Sequence, residues 1–284
     1  MPAKTRGVRA GAGTGRASTV APEALIDRSR WPVTDLEASA TKRIIATEQR
    51  RLADTGVSIL PGFLTPEAVR LLCREADELA PQAHFSEASG TPYLERPDRS
   101  FAEGHPRRVV VRSAVRALAY DRFPPSSPLR ALYEWAPMMT FVGAVLGRSP
   151  LYRYADPMGA LHLAVMVEGD ELGWHFDQTD FVVSIALQDS EEGGDFVSAR
   201  RIRSAADERY DDVGQVLRGE HHRAVEQVPM TPGTLMLFEG RYSMHRVTPI
   251  AGRVPRYVAL FAYDTKPDTV SSDQLKLARY GRLG

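Results

Sequence analysis

Short β-rich runs separated by turn residues fill the second half of this chain, and they limit its possible folds more than any other feature. Gly or Pro stands at most of the breaks between runs, and one predicted helix at 207–217 interrupts the series. Many short strands with turns between them are typical of a jelly-roll sandwich or barrel. From Leu151 onward the runs read LYRYA, ALHLAVMV, DFVVSIAL, GDFVSA, GTLMLFE, YSMHRVT and RYVALFAYD.

The first half of the chain has the periodicity of helices. Residues 41–55 place apolar side chains three and four apart and stop before a glycine, and a short strand is predicted at 57–60. Thr65 and Pro66 are typical of a helix start, which predicts a helix to about Leu79, and Ser127-Pro128 predicts one more helix that runs to about Val145. Residues 81–123 are rich in Pro, Gly and Arg, and we expect a loop segment there that covers a substrate.

These patterns predict a mainly β fold with flanking helices and a double-stranded β-helix core, a cupin-like jelly-roll. Residues 1–20 are rich in Gly, Ala, Arg and Thr, and this composition predicts a disordered leader. We expect a single domain after it. Its parts are a helical portion at about 21–148, the jelly-roll core at about 149–265 and a C-terminal extension at 266–284, which together make up 21–284.

Composition excludes several classes of function. Lys+Arg and Asp+Glu number 36 each, so no overall positive field favours nucleic acid or a membrane surface. No apolar stretch is long enough to span a bilayer, and none follows the basic N-terminus as a secretion signal would require. A single cysteine, Cys73, forbids an internal disulfide and fits a reducing compartment, so the predicted location is cytoplasmic. Oligomeric state leaves no signal in this sequence.

Two histidines and an aspartate form a candidate metal site. His175 and Asp177 are two residues apart, so on a strand both side chains face the same side; His245 comes from a strand far along the chain. Two imidazoles and one carboxylate are the set that holds ferrous iron on one face and leaves other positions open. Taken alone, His-x-Asp arises often by chance, and a surface histidine beside a turn carboxylate explains it equally well.

An arginine downstream changes that balance. Arg256 lies eleven residues after His245, beyond a turn, so we expect the two on neighbouring strands that point into one cavity. Its planar guanidinium matches a carboxylate, such as the far end of a chelating keto acid. A surface ion pair is the usual role of arginine, but Arg256 heads the apolar run 257–261, where a charge needs a buried partner.

At this point the chain resembles the iron(II)/2-oxoglutarate-dependent oxygenases. Within them it is similar to the branch of radical halogenases and hydroxylases that act on free amino acids. The resemblance covers residues 154–263, and VSILPGFLTPE near the N-terminus adds to it. The ordered motifs are YADP, GDELGWHFD, FVVSIALQ, EEGGDF, LFEGRYSMHRVTPI and PRYVALFAYD.

The resemblance implies that His175, Asp177 and His245 bind iron and that Arg256 pairs with the distal carboxylate of 2-oxoglutarate. Dioxygen would then convert the keto acid to succinate and carbon dioxide while an unactivated C–H bond of a small polar substrate, such as a free amino acid, is oxidised. Halogenases of the branch have a small residue where this chain has Asp177, and the small residue opens a site for chloride. We therefore expect hydroxylation and not halogenation.

Other residues are weaker candidates. His162, on a strand expected beside that of His175, is a candidate contact for the keto acid or substrate, and a structural histidine is an equal alternative. Trp174, Gln178, Asp180 and Arg241 surround the motif and are candidate substrate contacts, although an aromatic residue there more often packs and Asp180 also suits a turn cap.

Two further functions stay open. The same iron chemistry can end in desaturation, epimerisation, cyclisation or halogenation, which the sequence does not separate. A non-catalytic jelly-roll that binds a small ligand is an alternative from another class, and the complete set of iron and keto-acid residues argues against it.

Overall fold

The structure, a computed structural model, describes residues 20–284, so the leader expected at 1–20 lies almost wholly outside the described part. Local sequence sets the helix ends. Thr65 caps one helix by accepting a hydrogen bond from Ala68 N, and Gly56 ends another in the left-handed conformation. The α-helices of the described part are α1 (Ser39–Thr55), α2 (Pro66–Leu79), α3 (Pro128–Glu134), α4 (Ala136–Leu146), α5 (Tyr210–Leu217) and α6 (Asp273–Tyr280).

The strands of residues 20–284 form one large curled sheet and two small ones. They are β1 (Val57–Leu60), β2 (His84–Gly90), β3 (Val111–Ala119), β4 (Tyr152–Arg153), β5 (Leu161–Met166), β6 (Glu171–His175), β7 (Val182–Gln188), β8 (Glu192–Gly193), β9 (Phe196–Ala199), β10 (Val225–Gln227), β11 (Leu235–Phe238), β12 (Met244–Val247), β13 (Ile250–Ala251), β14 (Arg256–Phe261) and β15 (Tyr263–Asp264). The large sheet has the order β1-β11-β7-β14-β5-β3-β6-β12-β9-β10, and β2 pairs with β3.

Strands that follow one another in the chain alternate between two walls of this sheet. One wall contains β5, β7, β11 and β14, and the other contains β6, β9 and β12. Strand β3 joins the walls, because its residues 116–119 pair with β5 and its residues 113–114 pair with β6. This alternation is that of a jelly-roll, so the predicted fold class is confirmed.

Two pairs of strands that the sequence analysis predicted to be neighbours are not neighbours in the sheet. β12, which carries His245, and β14, which carries Arg256, lie in different walls and do not pair. Likewise β5 and β6 both pair with β3 and not with each other. Consecutive strands of a jelly-roll change walls, so residues close in sequence end up across the barrel from one another.

Two further expectations about local structure were wrong. Residues 81–123 contain the hairpin β2–β3, where a loop was expected. The arginines of β3 are tolerated because they project from the sheet as alternate residues: Arg112 pairs with Glu87 and Arg116 with Asp170. The single helix expected after Ser127 is two helices, since a proline inside a helix clashes with the carbonyl four residues before it, and Pro137 stands there.

Helices α2, α3 and α4 cover the outer face of the first wall. On β5, Leu161, Leu163 and Val165 point outward into a core shared with α2, α3 and α4. The alternate residues of the same strand therefore point into the barrel, and on β14 the inward set begins with Arg256. The barrel interior is thus where polar side chains of both walls meet. No helix of the described residues is long and apolar enough to cross a membrane.

Candidate metal centre

The three predicted ligands come together at one end of the barrel. His175 ends β6 and stands directly opposite His245 of β12, with the two ring centroids 4.2 Å apart. Strand β6 ends at His175, so Asp177 lies just beyond the strand, whereas the sequence analysis predicted it on the strand. One ligand atom from each residue lies within 4.8 Å of the others. A single ion can therefore contact all three.

Backbone carbonyls fix the orientation of both imidazoles. His175 Nδ1 lies 2.8 Å from Gly173 O, and His245 Nδ1 lies 3.0 Å from Ser243 O. Since a carbonyl only accepts hydrogen bonds, each Nδ1 carries the proton and each Nε2 presents its lone pair. The two Nε2 atoms lie 4.0 Å and 3.6 Å from the Asp177 carboxylate oxygens. Both rings are held as metal ligands are in proteins.

Burial keeps the second histidine in its ligand form. His245 is only 6% exposed. Burial, opposed by the carboxylate of Asp177 and reinforced by the neighbouring His175, lowers its pKa from 6.5 to about 4. Asp177 Oδ2 is buried and has no hydrogen-bond partner among the described residues. A divalent cation would satisfy that oxygen and both lone pairs, so the donor set fits ferrous iron.

Gly240 leaves free the space that the carboxylate of Asp177 occupies. Asp177 N donates to Gly240 O at 3.1 Å, which holds the two turns together. A Cβ at Gly240 would lie 1.8 Å from Asp177 Oδ2, closer than any non-bonded contact allows. The position of the carboxylate therefore depends on a residue without a side chain.

Arg256 is a buried cation that lacks an anion. It is 7% exposed, and burial lowers its pKa to about 10. Asp189 and Asp195 act on it from a distance, but within the described residues no carboxylate is close enough for an ion pair, and its guanidinium contacts Met166 Sδ at 3.9 Å. Such a charge is costly unless a ligand supplies the counter-ion.

Between Arg256 and the metal end, the first wall presents small side chains to the interior. Val258, Ala164 and Ala186 lie in one row across β14, β5 and β7. The next row toward the metal end contains Leu260 and His162. His162 thus shares the barrel interior with the triad, and its Nδ1 is buried without a hydrogen-bond partner. Burial, followed by the charge of Arg279, lowers the pKa of His162 well below its usual value.

The four weaker candidates have other contacts. Trp174 packs outside the barrel under Arg246, so a substrate contact from its ring does not fit this placement. Arg241 Nε donates to Asp180 Oδ1 at 2.8 Å, and its Nη2 donates to the backbone oxygen of Gln178. These three residues therefore join the turn after Asp177 to the turn before His245.

Phe176, Tyr93 and Arg203 form a cluster behind the ligands, here called the brace, that the sequence analysis did not predict. The ring of Phe176, between two ligands, packs against Tyr93 with centroids 5.3 Å apart, and the Arg203 guanidinium lies 3.9 Å from its centroid. Arg203 also donates to Arg241 O at 2.8 Å and to Glu208 at 2.9 Å. Tyr93, Phe176 and Arg203 are far apart in the sequence, so no local motif predicts their contact. The only indication is that Phe176 stands between His175 and Asp177, so its side chain is expected on the face opposite to the two ligands.

A cavity of about 640 Å³ lies beside the turns that carry Asp180 and Glu239. It is bounded by α1 and the end of α4, and the three ligands do not line it. Its charges are already paired, Arg201 with Glu239 and Arg148 with Asp180. This cavity is therefore not the metal site.

Comparison with known proteins agrees with this geometry. The family model described as halogenase D matches residues 40–276. Among solved structures, AviO1 from Streptomyces viridochromogenes Tue57 is similar with 17% identity and a TM-score of 0.53, over 78% of this chain and 95% of that one. The epimerase SnoN from nogalamycin biosynthesis has 15% identity and a TM-score of 0.52, over 78% and 83%.

A prolyl hydroxylase from Trichoplax adhaerens, in complex with a peptide fragment of hypoxia inducible factor, has 14% identity and a TM-score of 0.52, over 82% of this chain and 97% of that one. No curated protein sequence matches. The fold and the match over most of the chain place it among the iron(II)/2-oxoglutarate-dependent oxygenases. Within that superfamily the chain belongs to the halogenase D family.

Proposed function

We propose that this oxygenase hydroxylates an unactivated C–H bond of a small polar substrate, a free amino acid or a close derivative, with succinate and carbon dioxide as co-products. The observation that carries the proposal is the carboxylate of Asp177, which stands within 4.0 Å of both histidine Nε2 atoms. The complete set of three protein ligands would hold iron(II) from one side and leave positions open for the cosubstrate and dioxygen.

Each residue of the site has a separate task in this proposal. His175, Asp177 and His245 hold iron(II) from one side, and Arg256 pairs with the distal carboxylate of 2-oxoglutarate at the other end of the barrel. When bound, iron and 2-oxoglutarate supply the activation of dioxygen. The barrel wall excludes water from that chemistry, since the row between Arg256 and the metal end is apolar.

Asp177 favours hydroxylation, although the family model that matches this chain is described as halogenase D. A chloride ion needs a coordination position that a small residue leaves free, and here a carboxylate takes that position. Gly240 leaves free the space in which this carboxylate lies, because a Cβ there would be 1.8 Å from Asp177 Oδ2. Oxygen transfer to the substrate is therefore the expected outcome.

Other outcomes of the same chemistry are the second candidate. SnoN is an epimerase and SnoK a carbocyclase, and both share this fold with TM-scores of 0.52 and 0.53. A non-catalytic barrel that only binds 2-oxoglutarate is the candidate from another class. The orientation of both imidazoles by carbonyls argues against it, because a binder has no need of preset metal ligands.

The test is product analysis with iron(II), 2-oxoglutarate, oxygen, chloride and a pool of free amino acids. We expect the wild type to add one oxygen atom to a member of the pool and no chlorine. Asp177→Gly should then either chlorinate the same compound or lose its iron. A chlorinated product from the wild type would overturn the argument from Asp177, and a product two hydrogen atoms lighter would favour desaturation.

A further inference from the structure

The C-terminal helix closes the metal end of the barrel on the side of β3. Tyr280, at the end of α6, is buried with Ala117, Ala119 and Met158. Ala119 is the register partner of His162 on β5, so α6 reaches the inner row that contains this histidine. The segment predicted as an extension thus forms part of the barrel mouth.

Asp156 anchors this helix. Its two carboxylate oxygens accept hydrogen bonds from Met158 N and Ser271 N, each at 2.9 Å, and Lys276 Nζ lies 3.7 Å away. Asp156 is 1% exposed. Its negative charge is therefore already balanced by the backbone and by one lysine, and it is not available to another cation.

Three polar groups at this place have no hydrogen-bond partner among the described residues outside their own group. Nδ1 of His162 is buried without a partner, and the buried hydroxyl of Tyr280 has only the side chain of Arg279 to bond with. Arg279 is half-buried and, within the same residues, forms no ion pair. Arg279 directly precedes Tyr280 at the end of α6. Burial lowers the pKa of His162 and the positive charge of Arg279 lowers it further, which agrees with a cation on this side of the barrel mouth. Buried polar atoms are normally satisfied, so this cluster is suited to a ligand.

We propose that Arg279, assisted by Tyr280 and His162, binds a carboxylate of the substrate at the mouth of the barrel. The inference rests on the proposed function, which it deepens by naming the chemical group that is recognised. A guanidinium pairs with a carboxylate through two parallel hydrogen bonds, and a phenol supplies a further donor. His162 is neutral, so it adds a hydrogen bond without a second charge.

A substrate carboxylate bound by Arg279 also explains why β14, the strand that pairs with β5, presents an apolar side chain beside His162. Leu260, the register partner of His162, offers no polar group. The polar contacts to the substrate then come from α6 and β5, and the apolar side chain of β14 contacts the carbon skeleton that is to be oxidised. A substrate with an acidic group at one end fits this division.

The experiment measures retention of ligands by equilibrium dialysis without oxygen, with the protein loaded with iron(II) and 2-oxoglutarate. Two probe pools are used, free L-amino acids and the same compounds as carboxamides. Arg279→Ala is compared with Arg282→Ala, a matched control because Arg282 belongs to the same segment and is paired with Asp121. Arg279→Lys tests whether charge alone restores binding.

We expect the wild type and Arg282→Ala to retain at least one acid and to retain its carboxamide much less. Arg279→Ala should lose about 10- to 100-fold in affinity, with partial recovery in Arg279→Lys. Equal retention of the acid by Arg279→Ala, equal retention of acid and carboxamide, or no retained acid overturns the proposal. Succinate formation by the wild type without substrate tests the proposed function separately, so the two failures are distinguishable.

Discussion

Replacement of Gly240 by alanine tests the geometry of the metal site with one methyl group. The added Cβ would lie 1.8 Å from Asp177 Oδ2 and 2.6 Å from Asp177 Cγ. An ordinary contact requires at least 3 Å, so the carboxylate or the turn has to move by about 1 Å or more. Gly240 has no left-handed backbone angle, so alanine adds no conformational strain there. The effect is therefore confined to the carboxylate.

Metal–oxygen distances tolerate only about 0.2 Å, so a displacement of this size weakens ligation. Loss of a neighbour that orients a ligand typically costs about 10- to 100-fold in metal affinity. We expect Gly240→Ala to bind iron(II) about 10- to 100-fold more weakly and to lose succinate formation in proportion. Its thermal unfolding without metal should change little, because the clash is relieved by the side chain of Asp177.

The assay is competitive iron(II) titration, with circular dichroism to check the fold. Gly214→Ala, within α5, is the control, since its new Cβ meets the flexible end of Arg218 at 3.1 Å and otherwise only Pro106 at an ordinary contact distance of 3.8 Å. In an Asp177→Ala background the same Gly240→Ala change should have no further effect on iron affinity. Wild-type affinity in Gly240→Ala, or an equal loss in both backgrounds, would refute the reasoning.

Three further predictions concern the charges and the brace of the site. Arg256→Met should raise the free energy of unfolding of the metal-free protein by up to about 3 kcal/mol, since burial lowers the pKa of this arginine from its ordinary value to about 10. 2-Oxoglutarate should then no longer stabilise the protein in a thermal shift assay. The metal-free protein should lose about 3 kcal/mol of stability through His245 as the pH falls from 6.5 toward 4. The imidazole of the unfolded chain takes up a proton in this range and that of the folded protein does not. Urea titrations at several pH values, compared with the same titrations of His245→Gln, measure this loss. Arg203→Ala should cost about 2 kcal/mol of stability through loss of its contact with Phe176, measured by thermal unfolding, and an unchanged melting temperature would contradict the brace.

Much of the core was predictable because its signals are local. Turn glycines separate the strands, and alternation within each strand shows that it has one buried face. His175 and His245 were predicted as ligands from residue type, and the structure brings them within 4.2 Å of each other. Arg256 was identified as a charge at the head of an apolar strand, which is the position that the structure buries.

What failed depends on contacts between distant segments. The strand β3 reads as a loop because Arg112 and Arg116 look like surface residues, and their partners on other segments are not visible in the sequence. Asp177 was expected on a strand, but β6 ends at His175 because the following residues bond to Pro92 and Gly240 instead. The proposed role of Arg279 depends on where α6 packs against the barrel, which no local sequence pattern encodes.

The most direct test of the central claim is oxygen-dependent succinate formation by the purified protein with iron(II) and 2-oxoglutarate. We predict that succinate appears only when all three components are present, that a fitting substrate accelerates it, and that His175→Ala abolishes it. Tight binding of 2-oxoglutarate without any succinate, in a protein that is loaded with iron, would contradict the account and favour a barrel that only binds its ligand.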